Sequence, residues 1–204
     1  MSIMETISSI LNDYTSGDHY EELKSAKQAF ISKTGQIDEE AEEYESRMNS
    51  FNDWYLFNYK KNNDIKIIDD YIQNNSVDDE VINSLKSINY SLFLFSKINF
   101  RKQVVIKDVL HNVKFTLSGN HGDLALVEDD LFIGRCLDYK NEKYFLSGIC
   151  TLPREILSVL KKESKKIKKL NNSDEEEAFL LNLERLKIKS LQYGHIESSK
   201  IFIF

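Results

Sequence analysis

The spacing of apolar residues along this chain changes character near Tyr90. Before that point, apolar positions recur at helical intervals. Tyr20, Leu23, Lys27 by its stem, Phe30 and Ile31 share one stripe, and Gly35 is placed to end the helix that carries them. From Asp38, acids occupy the first turns of a second predicted helix, and Tyr44, Met48, Phe51 and Tyr55 make one apolar face of it. Trp54, Leu56 and Phe57 widen that face, which predicts a helix end enclosed on several sides. The aromatic group Trp54, Tyr55, Phe57 and Tyr59 is accordingly read as core and not as a ligand cage. Two shorter helices are predicted, around Ile67–Ile72 and from Asp78 to Ile88.

After Tyr90 the segments YSLFLFSKI, QVVIKDVL, NVKFTL, LALV, DLFIGRCLDY and KYFLSGI are short, rich in β-branched and aromatic residues, and separated by polar or glycine turns. They predict an antiparallel meander curling into a small barrel, with a glycine-containing turn at Asn120–Asp123. A hairpin turning at Lys140–Glu142 sets Cys136 opposite Ser147. That register leaves Cys136 and Cys150 unpaired and buried.

Helical spacing returns after Pro153, with Ile156, Leu160, Ile167 and Leu170 on a narrow stripe. Ser173 and Glu176 have the form of a capping box for a further helix, which runs through Phe179, Leu180, Leu183 and Leu186 to about Gln192, before Gly194. The final KIFIF reads as a strand that needs cover from the β-module or from another chain. The expected fold is therefore α+β: a helical region at 1–89, an antiparallel β-barrel-like module at 90–151, and C-terminal helices with a terminal strand at 152–204, packed as one compact unit.

Composition narrows the function classes. A net charge of −6 and a sequence pI near 5.3 argue against whole-surface attraction to nucleic acid. No secretory signal and no apolar run long enough to span a bilayer are visible, and two cysteines are too few for a disulfide framework. These features predict a cytoplasmic protein. His19, His111, His121 and His195 are scattered without zinc-ligand spacing, and no nucleophile elbow, phosphate loop or dinucleotide fingerprint occurs. No metal and no cofactor is expected. The acidic pairs Asp69-Asp70, Asp78-Asp79 and Asp129-Asp130 are read as structural, the last two at a helix start and a turn.

Two features remain as candidate binding sites. Alternation in DLFIGRCLDY places Arg135 on the side of Leu131, Ile133 and Leu137, so an inward guanidinium needs a carboxylate or carbonyl partner, with Asp108 the candidate. Lys161, Lys162, Lys165, Lys166, Lys168 and Lys169 concentrate positive charge on the first C-terminal helix, either as a solvated face or as a contact for nucleic acid, anionic lipid or an acidic partner.

The stretches AKQAFISKTGQI, ESRMNSFNDWYLFNY, INYSLFLF, VVIKDVL and the GR of DLFIGRCL, in that order, resemble an uncharacterised family of bacterial proteins, some of whose members are joined to a small SEC-C-type zinc motif. The Arg-Met followed by Phe-x-Asp-Trp-Tyr-Leu-Phe is the distinctive part. The resemblance covers about residues 23–150 and implies a helical N-terminal part leading into a compact β-module. It brings no activity, substrate or catalytic residue, and the absence of a cysteine cluster means that the zinc extension is not carried over. The leading reading is a non-enzymatic protein-binding or adaptor protein, with self-association through the C-terminal helices as one version. The alternatives are a nucleic-acid-binding regulator using the β-module and the Lys161–Lys169 helix, and an enzyme whose site assembles only in three dimensions.

Overall fold

The computed structural model describes residues 2–61, 64–117 and 126–204. Its helices are α1 (Ile3–Tyr14), α2 (Tyr20–Thr34), α3 (Tyr44–Phe57), α4 (Ile67–Asn74), α5 (Asp79–Lys86), α6 (Leu157–Leu170), α7 (Ser173–Gln192) and α8 (Ser198–Ile201). Its strands are β1 (Asn89–Ile98), β2 (Val104–Asp108), β3 (Val113–Leu117), β4 (Leu131–Tyr139), β5 (Glu142–Phe145) and β6 (Cys150–Leu152). They form one antiparallel sheet, a curled half-barrel with strand order β3-β2-β1-β4-β5 and β6 paired to β4. The fold is α+β, with helices before and after the sheet. The predicted Asn120–Asp123 turn and the first half of LALV lie outside the described residues; Leu126 and Val127 are in no strand.

By contact density the chain divides into two units. The first comprises residues 1–32, 36–89 and 135–149, and so contains α1, α2 as far as Ser32, α3 to α5, the end of β4, and β5. Helix α1 opens it with a capping box in which Ser2 Oγ accepts from Glu5 N at 3.2 Å and Ser2 N donates to Glu5 Oε2 at 2.7 Å. Ile3, Ile7, Ile10 and Tyr14 are its buried stripe. On α2 the buried positions are Ala26, Phe30 and Thr34, whereas Tyr20 is exposed, so the inward stripe begins later than the sequence suggested. Helix α3 starts at Tyr44 and not near Asp38, because Asp38 Oδ1 takes the backbone N–H of Glu40 at 3.0 Å and holds a turn in place of a helix start.

Asp53, Trp54, Tyr55, Leu56 and Phe57 are consecutively buried, as the widened apolar face predicted. Phe30 packs on Phe51 and Trp54 at centroid distances of 5.6 and 5.5 Å. Tyr55 donates to Tyr14 O at 2.9 Å and Tyr14 donates to Asp70 at 2.9 Å, so this aromatic core binds its own polar tips. Burial, above all, raises the pKa values of both phenols, and that of Tyr59 is pushed up to about 12 by burial and by the Glu22 carboxylate that accepts its proton at 2.5 Å. The opposite side of α3 is polar: Asp53 accepts from Gly148 N at 2.9 Å, and Ser46 donates to Ile149 O at 2.6 Å.

The β4–β5 hairpin turns on Lys140 and Asn141 alone, both at positive φ (53° and 64°), the conformation of a two-residue type I′ turn. The tighter turn pairs Cys136 with Phe145 instead of Ser147. Both cysteines are buried, and neither is in a disulfide.

The second unit comprises residues 33–35, 90–134 and 150–204. Leu92, Leu131 and Ile133 of its strands pack with Leu160 of α6, Phe179, Leu180 and Leu183 of α7, and Ile201 and Phe202. The C-terminal KIFIF is not a strand. A short helix, Ser198–Ile201, turns Ile201 and Phe202 into this core, and the Phe204 ring rests 5.6 Å from that of Phe179. Asn172, not Ser173, caps α7, by accepting from Asp174 N at 2.9 Å.

Candidate functional site

At one end of the second unit, β1 and β2 are joined by a three-residue loop, Phe100-Arg101-Lys102. The sequence builds this loop around Asn99. Its side-chain oxygen accepts from Arg101 N at 2.9 Å and Gln103 N at 3.0 Å, and its amide donates to Gln103 Oε1 at 3.1 Å. Backbone bonds between Asn99 and Gln103 and from Lys102 N to Asn99 O, each 2.9 Å, close the turn, and Lys102 stands at φ 58°. This is a type I turn with a bulge, whose left-handed position glycine occupies without strain; here a lysine holds it.

The cross-braced loop displays Phe100, which is 91% exposed, with the Arg101 guanidinium 5.4 Å from its ring centroid. Ile98 is 55% exposed beside it, and Lys97 and Lys102 complete an apolar tip within a basic collar. In the sequence this loop is one of the polar turns between strands. The available signal was a phenylalanine at the apex of NFRKQ, where turn chemistry favours small polar residues.

The residues singled out from sequence lie in two other places. Arg135, in the first unit, is completely buried, and its Nε and Nη2 donate to Asn58 Oδ1 at 3.1 and 2.7 Å. Asn58 is the C-cap of α3, so the guanidinium sits where a helix end favours a cation. Lys161, Lys162, Lys165, Lys166, Lys168 and Lys169 are all exposed on α6. Lys166 pairs with Glu163 at 2.7 Å, and Lys168 donates to the carbonyl of His111.

His111 belongs to a polar cluster at the end of β2 opposite the hairpin tip. Its Nδ1 lies 2.8 Å from Asp108 Oδ2 and its Nε2 3.2 Å from Glu176 Oε2 on α7. Ser91 donates to Asp108 Oδ1 at 2.6 Å, and the His111 backbone N–H donates to the same oxygen at 2.9 Å. Only the doubly protonated ring can donate to both carboxylates, and the His111 pKa is raised, first by the Asp108 hydrogen bond. Ser91 Oγ also lies 3.3 Å from His111 Nδ1, but that same nitrogen is 2.8 Å from Asp108 Oδ2, so the serine and the carboxylate share one ring nitrogen instead of flanking the ring as a nucleophile and its orienting carboxylate do. The arrangement is a clasp between the β2–β3 turn and the starts and ends of α7 and α6. Ser173 is already the first helical residue, with Asn172 as the cap, so the Ser173 capping box does not form and Glu176 is available to His111. Among the described residues, no group of three His, Cys, Asp or Glu side chains is placed to hold a metal ion, and no helix is long and apolar enough to cross a membrane.

What the fold and these sites define is an α+β protein with an aromatic-basic hairpin tip braced by Asn99 and a lysine-rich helix. The chain belongs to a family of unknown function, DUF7986, which matches residues 3–183. No curated protein and no solved structure matches it.

Proposed function

We propose that this chain is a non-enzymatic binding protein whose recognition element is the β1–β2 hairpin tip, and whose partner is a protein bearing an acidic segment. The observation that carries this reading is the near-complete exposure of Phe100 on a loop that Asn99 braces from within. Exposing a phenylalanine forgoes about 1.5–3 kcal/mol of burial, which a partner can recover. A loop already ordered has little entropy left to lose on association. Aromatic and arginine side chains are the usual anchors of protein interfaces, and the Lys97, Arg101 and Lys102 charges favour encounter with an acidic surface. Two cysteines outside any disulfide fit a reducing compartment, and we place the protein in the cytoplasm.

Site-specific photocrosslinking tests the reading. A photoreactive phenylalanine at position 100 should give one discrete protein adduct in the native cell, reduced at least tenfold when Arg101 and Lys102 are changed to Glu. If the same probe at exposed Tyr20 gives as much adduct as at position 100, the hairpin is not the recognition element.

A further inference from the structure

We propose that the exposed face of α6 is a second binding surface, one that grips the phosphate backbone of duplex nucleic acid. Between Leu157 and Leu170 the chain places six lysines and a single glutamate, although acids outnumber bases over the whole sequence, 33 to 27. Leu160 and Ser164 are buried, with Leu157 and Ile167 packed at the edge of the core, so the rotation of the helix is fixed and the lysines face outward. Lys161, Lys165 and Lys169 repeat at four-residue intervals along about 12 Å of the helix axis, flanked by Lys162.

Local structure does not account for these charges. Glu163 neutralises Lys166, and Lys168 serves the clasp, whereas Lys161, Lys162, Lys165 and Lys169 meet no carboxylate among the described residues. Lys161 with Lys165, Lys162 with Lys166, and Lys165 with Lys169 are like-charge neighbours at a spacing that destabilises a helix. The helix dipole rewards only the cations of the last turn, Lys168 and Lys169. An anion that spans the stripe relieves the remaining repulsion.

The occupant follows from what the surface lacks. An interfacial membrane helix turns its apolar side to lipid, but that side of α6 is committed to the protein core. Binding of single strands relies on aromatic platforms, and α6 carries no aromatic residue. A duplex is held through its phosphates by lysines alone and needs neither. Within the second unit, this surface meets the sheet through Lys168 and His111 at the Asp108 end of β2, and the hairpin tip lies at the Val104 end. The two ends leave room for both partners at once.

The test is fluorescence anisotropy of the full chain with a labelled 20-base-pair duplex of arbitrary sequence. Four lysine–phosphate contacts predict a log–log salt slope of about −3.6, which is roughly a hundredfold weakening between 50 and 200 mM salt. Lys161→Glu, Lys165→Glu and Lys169→Glu together should abolish binding while the variant still unfolds in one cooperative transition, whereas the corresponding triple change to Arg should preserve binding. Phe100→Ala should leave duplex affinity unchanged, which separates this surface from the hairpin reading. No binding at 50 mM salt, binding indifferent to the charge reversal, or equal binding to polyglutamate or to phosphatidylserine vesicles overturns the proposal.

Discussion

A Cβ atom placed on Gly148 would stand 2.4 Å from Asp53 Oδ2 and 2.8 Å from both Asn49 O and Ser50 Cα. Two of these atoms are backbone, and Asp53 is held by its bond to Gly148 N, so the site has little room to yield. Gly148→Ala should therefore cost about 1–3 kcal/mol in urea unfolding; a loss under 0.5 kcal/mol would show that the loop relaxes freely. Ser164 presents the opposite case. Its hydroxyl is fully buried in the second unit, with no hydrogen-bond partner among the described residues. Ser164→Ala should raise stability by about 1 kcal/mol, read as a higher melting temperature. At this scale the sequence was readable where neighbours decide the outcome. Alternation along β4 set Arg135 beside Leu131, Ile133 and Leu137, but the strand is buried on both faces from Leu131 to Leu137, and it could not point to Asn58 in place of Asp108, because 77 residues separate Arg135 from Asn58 and only tertiary packing brings them together.

The elements were legible where one local signal dominates. Asp78 was read as the start of a helix, and its side chain does cap α5 by accepting from Glu80 N at 3.2 Å. Errors arose where a neighbouring residue takes the cap, as Asn172 does ahead of Ser173, or where a side chain captures its own backbone, as Asp38 does. The missed helix α1 carried a full signal, a capping box and a four-residue buried stripe. The hairpin tip was hidden for another reason: an exposed aromatic contributes nothing to periodicity. Its left-handed Lys102 gives an element-scale prediction. Lys102→Gly should relieve the strained φ of 58° and raise the unfolding free energy by about 0.5–1 kcal/mol. It should also reduce crosslinking from position 100, since a collar charge is lost. A variant both less stable and fully able to crosslink would contradict the assigned roles of this residue.

At the scale of the whole molecule, the change of period at Tyr90 was sufficient to read an α+β chain. The grouping of residues 135–149 with α1–α5 depends on contacts across large sequence separations, which periodicity does not encode. Global stability should nonetheless carry the mark of the clasp. The His111 pKa is raised in the folded protein by Asp108, and further by Glu176. Its contribution is therefore complete below the unfolded value of about 6.5 and is lost as pH rises through the higher folded value. The stability difference between the protein and its His111→Gln variant, measured by denaturant unfolding, should be largest near pH 5.5 and shrink above neutrality. A difference that grows with pH would mean that the ring is held neutral.

Strand β4 passes from one unit to the other between Gly134 and Arg135, in the middle of a continuous run of sheet. Each unit is also assembled from separate stretches of chain. No single cut in the gene can release either unit with all its parts, and a cut at 134 would leave the first unit without its hairpin and the second without β6, α6, α7 and α8. Recombination that shuffles ordinary domains as cassettes has no seam to use here. The hairpin tip and the lysine helix are thus bound to be inherited together with the five N-terminal helices, as one genetic block.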